Sequence, residues 1–219
     1  MLNNSFFLRP NCNEDSQKVK SLILGMLENK EDCFIAVAYF TDEDIARKII
    51  ARTMKGYKTM MILNLADLVR PEDATDSIVK VSKALLDIFK SLGRQAFTDE
   101  GNLQIKTLGI NLSKTSKYTV FHHKFILNKN RVGFGSLNFT NNAFHNNYEN
   151  FVFTEEQDIV LSFLKEFSAL WNEANSFLTQ NGKIRSISCP SCGGSEGIDF
   201  ESYGPFCSFC GHRIKNTGF

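Results

Sequence analysis

The run CFIAVAYF, residues 33–40, is apolar throughout and has the length of a strand, so it reads as a buried strand covered on both faces. It is followed by TDEDIARKIIARTMKG, an amphipathic helix with Thr41 as the expected N-cap and Gly56 as its stop. YKTMMILNL then supplies a second strand. Strand, helix and strand at this spacing form a βαβ unit, which demands a parallel pair joined by a right-handed crossover. The chain is thereby placed in the α/β class.

The neighbouring segments extend that unit. SQKVKSLILGMLEN predicts a helix with Val19, Leu22, Ile23, Met26 and Leu27 on one face. PEDATDSIVKVSKALLDIFKSLG predicts another, opening at Pro71 and closing at Gly93. LQIKTLG gives a short strand, and YTVFHHKFIL with RVGFGS reads as a hairpin turning at Asn128 to Asn130. NFVF is a further strand. Thr154 and Gln157 have capping-box spacing for a long helix whose inner stripe is Val160, Phe163, Leu164, Phe167, Leu170, Trp171 and Ala174. Residues 1–178 therefore read as one α/β domain, 179–187 as a linker and 188–219 as a separate small unit.

Composition sets the limits. A chain of 219 residues, 42% hydrophobic, can bury one sizeable core and carry a small appendage. Its 25 basic and 24 acidic side chains leave a net charge of +1, which argues against a strongly basic nucleic-acid coat but leaves a local basic groove open. MLNNSFFLRPNCNEDS lacks a secretory core, and no stretch approaches the roughly 18 apolar residues of a membrane span. The expected setting is a reducing cytoplasm without membrane attachment, where closely spaced cysteines read as metal ligands before disulfides.

Cys189 and Cys192 form one C-x-x-C, and Cys207 and Cys210 another, with 14 residues (193–206) between them. Each pair precedes a glycine, and the intervening length suits a small β-hairpin. Two such turns present four thiolates, the ligand set of a structural, tetrahedral zinc with no position left open for water. The Gly- and Ser-rich segment around them has no amphipathic helix and needs such a staple to fold. It resembles a zinc ribbon, a fold that often grips nucleic acid or a protein partner. Lys183, Arg185, Arg213 and Lys215 flank it and are candidate contacts to backbone phosphates, or simply solvated charges. Cys12 and Cys33 stand apart as ordinary thiols.

The chemistry-bearing stretch is HHKFILNKNRVGFGSLNFTNNAFHNNYENFVF, residues 122–153. Strand alternation puts His122 and Lys124 on one face, where both can approach one anion, and sends His123 with Phe125 to the other, packed or hydrogen-bonded against the core. Gly135 permits close approach, and the Ser136 hydroxyl and Asn138 amide are candidate donors to phosphate oxygens. Glu149 is placed to hold an imidazole in the required tautomer. His145 reads as a surface or helix residue.

HHK, GSLNFT and NYEN together resemble the phospholipase D superfamily, whose signature is H-x-K-x4-D-x6-G-S-x-N, and in particular its small, single-motif nucleases. The resemblance covers most of residues 30–155 and leaves the cysteine unit outside. It implies a mixed sheet flanked by helices. It also implies metal-independent chemistry in which one histidine attacks phosphorus and a second protonates the leaving oxygen. His122 would be the nucleophile or acid, Lys124, Ser136 and Asn138 would bind phosphate, and Glu149 would orient His122. With a single H-x-K in the chain, a twofold homodimer is needed to bring two histidines together. One departure stands out: the position eight residues before Ser136, where the signature has aspartate, is Asn128, and five after Lys124 is Lys129. The implied activity is cleavage of DNA, with RNA second. The alternatives are a nucleic-acid-binding dimer with little turnover and a phospholipid phosphodiesterase or transferase. By the same resemblance a helicase or anti-phage defence system is a candidate partner.

Overall fold

The computed structural model describes residues 3–64, 83–92, 101–108, 121–176, 198–201 and 204–207. An eight-stranded sheet runs through its centre. The strands are β1 (Asn3–Leu8), β2 (Cys33–Val37), β3 (Thr59–Asn64), β4 (Leu103–Leu108), β5 (Lys124–Leu127), β6 (Val132–Gly135), β7 (Glu149–Thr154) and β8 (Asn175–Ser176), in spatial order β1-β7-β6-β5-β2-β3-β4-β8. The βαβ expectation is met: β2 pairs in parallel with β3, and β3 in parallel with β4. The other pairings are antiparallel. The sheet is therefore mixed, with three parallel strands followed outward by an antiparallel meander.

Alternation along each strand feeds two cores. Ile35, Val37, Met61, Leu63, Ile105 and Ile126 face one side, where they meet helices α1 (Asn13–Glu28), α2 (Glu43–Met54) and α3 (Lys83–Leu92). The short α4 (Asn141–His145) adds Ala143 and Phe144 to the same side. Ala36, Ile62, Phe125, Leu127 and Val132 face the other side, under α5 (Gln157–Glu173). The predicted α5 stripe is the one used: Val160, Phe167 and Ala174 are buried, and Phe163, Leu164, Leu170 and Trp171 pack against them. Phe125, Phe163 and Phe167 meet edge to face, with Phe125 5.1 Å from Phe163 and 6.4 Å from Phe167 between ring centroids.

Several expectations require correction. The N-cap of α2 is Asp42 and not Thr41. Its carboxylate accepts from the backbone N–H groups of Asp44 and Ile45, each at 3.0 Å, while Lys20 holds the other oxygen at 2.9 Å. Thr41 instead donates its N–H to Phe139 O. The Thr154–Gln157 capping box does not form: Thr154 is still in β7, its hydroxyl accepts from Glu156 N, and Glu156 occupies the cap position of α5. Strands β1 and β8 were not expected. Gly56, at φ 85°, does end α2 in the left-handed region that only glycine enters cheaply.

The expected helix start at Pro71, its stop at Gly93 and the linker 179–187 lie outside the described residues. So do Cys189, Cys192, Cys210 and the four flanking basic residues. Between the paired cysteines, β9 (Ile198–Glu201) and β10 (Gly204–Cys207) form an antiparallel pair, as the spacing suggested. Among the described residues, no helix is long and apolar enough to cross a membrane.

A buried arginine clamps the N-terminal ends of β2 and β3. The Arg52 guanidinium donates from Nε to the Thr59 hydroxyl at 2.7 Å, and from its two terminal nitrogens to the carbonyls of Leu27, Asn29, Glu31 and Lys58 at 2.7–3.0 Å. All five guanidinium donors thus find acceptors, which makes a buried cation tolerable. Burial still pushes its pKa below the ordinary arginine value. Removing it strands several buried acceptors, each costing about 1–3 kcal/mol. Arg52→Ala is expected to destabilise the domain by about 3–5 kcal/mol in urea unfolding. Arg52→Lys should recover only part of that, because three ammonium donors cannot reproduce the fork.

Candidate active site

The sheet topology delivers the candidate residues to one end. β5 runs antiparallel to β2, β6 to β5 and β7 to β6. The start of β5, the end of β6 and the start of β7 therefore share the edge at which β2, β3 and β4 finish. In open α/β sheets, ligands bind outside the carboxyl ends of the parallel strands. Lys124 opens β5, Gly135 closes β6 with Ser136 next, and Glu149 opens β7.

Backbone bonds interlace the loops there. Ala38 N donates to His123 O at 3.0 Å, Phe139 N to Tyr39 O at 3.1 Å, and Thr41 N to Phe139 O at 2.9 Å. Residues 38–41, 122–124 and 136–139 are thereby tied into one frame.

His122 is exposed, just before β5. Lys124 is buried, and its ammonium donates to the His122 carbonyl at 2.8 Å, which fixes where the charge sits. Desolvation lowers the His122 pKa, with Lys124 and His123 adding positive charge nearby. A neutral imidazole, the form that can act as nucleophile, is favoured. His123 points to the α5 side as alternation required, but it is exposed and not packed into the core. Its ring contacts Phe121 and Phe125, and Nε2 lies 3.5 Å from a Glu166 carboxylate oxygen.

Ser136 and Glu149 are joined directly. The Ser136 hydroxyl donates to Glu149 Oε2, and Ser136 Oγ accepts from Asn150 N at 3.0 Å. The hydroxyl expected to face phosphate is thus committed to Glu149 in this structure. Among the described residues, the hydrogen-bond partners of the Glu149 carboxylate are Ser136 and Asn147, and His122 is not one of them. Asn138 receives the Tyr39 backbone N–H on Oδ1 at 3.3 Å, which assigns its other edge, the NH2, as donor. Gly135 serves a different approach from the one expected. A Cβ there would lie 2.1 Å from the carbonyl oxygen of Asn150, so the absent side chain admits the backbone of β7. That approach is what sets Ser136 beside Glu149.

Asn128 lies at the far end of β5. Its Oδ1 accepts from Asn130 N at 3.0 Å and Arg131 N at 2.9 Å, closing the hairpin as an Asx turn. A carboxylate oxygen would accept the same two bonds. The residue replacing the signature aspartate therefore builds the turn.

Among the described residues, no three of His, Cys, Asp and Glu stand together to hold a metal ion. Asn147 was missed from sequence. Its proximity to Glu149 in NYEN was the available signal.

Residues 23–171 match the family model described as cardiolipin synthase, PLD-like domain. The chain belongs to this PLD-like family of the phospholipase D superfamily, a superfamily of phosphodiesterases. The mitochondrial cardiolipin hydrolases of dog and human are each 38% identical over 72 residues; these cover 32% of this chain and 28% and 29% of those proteins. This chain thus spans less than a third of the curated relatives it matches. Among solved structures, NucT from Helicobacter pylori superposes with a TM-score of 0.60 at 24% identity, over 80% of this chain and 99% of that one. Nuc from Salmonella typhimurium, described as a phospholipase D family member, gives 0.53 at 19% identity, over 81% and 100%. Phosphatidylserine synthase from Haemophilus influenzae gives 0.56 at 15%, over 79% of this chain and 39% of that one. These likenesses establish the fold.

The placement of Asn128 carries a direct consequence. Asn128→Asp should leave stability and activity within about threefold of wild type. Asn128→Ala should lose about 1–2 kcal/mol in urea unfolding, the value of two turn-closing bonds, without a specific loss of turnover in the folded protein.

Proposed function

We propose that this protein is a metal-independent phosphodiesterase that cleaves nucleic acid, DNA ahead of RNA, through a phosphohistidine at a homodimer interface. The observation that carries this reading is the gathering of Lys124, Ser136, Asn138 and Glu149 at one end of the sheet, beside an exposed His122 whose pKa is lowered. His122 of one protomer attacks phosphorus as the P–O bond to the leaving group breaks. His122 of the partner subunit gives that oxygen its proton. The partner's His122 then takes a proton from water, whose oxygen attacks phosphorus and releases the first histidine. Lys124 and the Asn138 amide offset charge on the equatorial oxygens, a preorganised electrostatic contribution. Glu149, held at Ser136, is the group proposed to orient His122. Support for nucleic acid comes from the single H-x-K, the GSLNFT and NYEN signature of the small nucleases, and the cysteine unit.

The second reading, a phospholipid phosphodiesterase or transferase, is favoured by the family description and by the 38% identity to cardiolipin hydrolase. The two separate in one experiment. Purified protein, shown to run as a dimer, is given single- and double-stranded DNA, RNA and cardiolipin vesicles in excess EDTA, beside His122→Ala. Nucleic-acid cleavage that survives EDTA and disappears in His122→Ala supports the proposal. Cleavage of lipid alone transfers the assignment to the second reading, and nucleic-acid binding without cleavage makes the protein a binding dimer. Circular dichroism in EDTA checks that the fold is intact.

The four cysteines, Cys189, Cys192, Cys207 and Cys210, are proposed to hold one structural zinc. The C-x-x-C spacing and the β9–β10 pair between the two motifs support this. Elemental analysis should find one zinc per chain, reduced to well below half in Cys207→Ser. A helicase or defence-system partner is proposed on the family resemblance.

A further inference from the structure

We propose that Asn147 is a positioning residue for Glu149, the inner link of a chain of three asparagine amides that fixes the plane of that carboxylate. The role rests on the reading of the site as a phosphodiesterase centre, while the chain itself is a matter of geometry. Asn147 Nδ2 donates to Glu149 Oε1 at 3.0 Å. Asn142 Nδ2 donates to Asn147 Oδ1 at 3.0 Å, and Asn146 Nδ2 donates to Asn142 Oδ1 at 3.1 Å. All three amides donate from their NH2 side inward, and Asn142 and Asn147 each accept on their carbonyl side from the next amide out. Such aligned dipoles strengthen one another and end with a donor on the carboxylate.

Ser136 holds only one oxygen of Glu149. A carboxylate held at one oxygen still rotates about its last side-chain bond. A second bond, at Oε1, removes that freedom and with it the freedom of the Ser136 hydroxyl, which sits between Glu149 Oε2 and Asn150 N. Asparagine suits the position because it donates without bringing a charge. A lysine or arginine there would pair with the carboxylate and compete with the imidazole that Glu149 is proposed to orient.

The support behind the chain is built. Asn142 belongs to α4, whose first turn is capped by Thr140 Oγ1 accepting from Ala143 N at 3.1 Å. Asn146 N donates to Asn142 O at 2.8 Å. Ala143 and Phe144 are buried, and Ser16 on α1 donates to Phe144 O at 2.5 Å. Asn142 and Asn146 are exposed, so their links are weak, whereas the Asn147–Glu149 bond is half-buried and carries the effect.

Two measurements test this. The first is independent of activity: in the 15N-labelled protein, the Asn147 side-chain amide resonances should move strongly on Glu149→Gln, and those of Asn142 weakly. Resonances that ignore Glu149→Gln overturn the proposal whether or not the protein is an enzyme. The second uses hydrolysis of bis(4-nitrophenyl) phosphate. Asn147→Leu should lower kcat about 10–100-fold, the worth of a hydrogen bond to a charged group, with KM within about threefold and thermal stability little changed. Asn147→Asp sets a second carboxylate against Glu149, and the acid limb of its pH–kcat profile should move to higher pH. Asn142→Ala should cost no more than about threefold. Unchanged kcat and pH profile in both Asn147 variants overturn the proposal and leave the phosphodiesterase reading standing. A wild-type protein that hydrolyses no diester refutes that reading instead, and the resonances alone then decide whether the amide chain holds Glu149.

Discussion

The close approach of β7 to β6 at Gly135 is the constraint on which the candidate site depends. No side chain other than hydrogen fits there, since a Cβ would meet the Asn150 carbonyl at 2.1 Å. Ser136 N donates to that same carbonyl at 3.0 Å, and Ser136 Oγ receives Asn150 N. The strand crossing thus fixes Ser136 by two bonds to one residue of its neighbour and places the adjacent Glu149 against its hydroxyl. A larger residue at 135 would push β7 outward and separate the pair. The same sheet holds Gly133 under equal crowding, where a Cβ would lie 2.4 Å from the Phe153 ring. The two glycines of VGFG are therefore packing residues of a β6–β7 seam, and the site inherits its geometry from them.

Electrostatics at the site follow from burial. Lys124 is drawn into the start of β5 between protein layers, yet it bonds to the carbonyl of His122 two residues earlier. That bond keeps a positive charge near enough to His122 to act on its titration. Desolvation and the adjacent cation act in one direction on His122, disfavouring its protonated form. For the attack on phosphorus proposed for His122, this is the useful direction. At the opposite end of the sheet, Arg52 shows the other solution to a buried cation, full satisfaction by carbonyl and hydroxyl oxygens, which immobilises it. The two ends of the sheet therefore use buried positive charge differently: one to lock strands, the other to bias a titration.

Much of this was legible in the sequence because the signals were local. Apolar runs and helical stripes gave β2, β3, α2 and α5, and short-range spacing gave the β5–β6 hairpin with its turn at Asn128. Strand β1 was not legible. NNSFFL carries only Phe6 and Leu8 inward, and its order comes from pairing with β7, some 145 residues away, with Leu8 opposite Glu149. Helix starts failed for a related reason. Thr41 and Thr154 have capping chemistry, but Thr41 is tied through its N–H to the Phe139 loop and Thr154 is still part of β7, so the caps fall one or two residues later, at Asp42 and Glu156. At the site, alternation put His123 on the α5 side with Phe125, but the expected packing against the core failed: His123 is exposed, and Lys124 is the buried member. That depends on α5 and on the loop after β2, which only the tertiary fold brings near. The asparagines of α4 and the following turn look in sequence like a solvated loop, and only their hydrogen bonds distinguish them.

The absent aspartate shows how strand geometry separates roles that a linear motif runs together. Lys124 is the first residue of β5 and Leu127 the last, so Asn128 lies a full strand length from the end at which the imidazole and lysine meet. At ~3.4 Å per residue that distance exceeds any hydrogen bond several-fold. Side chains at the two ends of β5 cannot share a phosphate. What the position demands is an oxygen that accepts two backbone N–H groups across a tight turn, and an amide carbonyl provides it as a carboxylate would. With Asn128 at that position, the residue missing from the signature falls between Lys124 and Asn128, within β5, while the spacing from Asn128 through the turn to Gly135 is unchanged. A motif read as one chemical unit is, in space, a lysine end, where the phosphate contacts are proposed, and a turn-forming end joined by a strand.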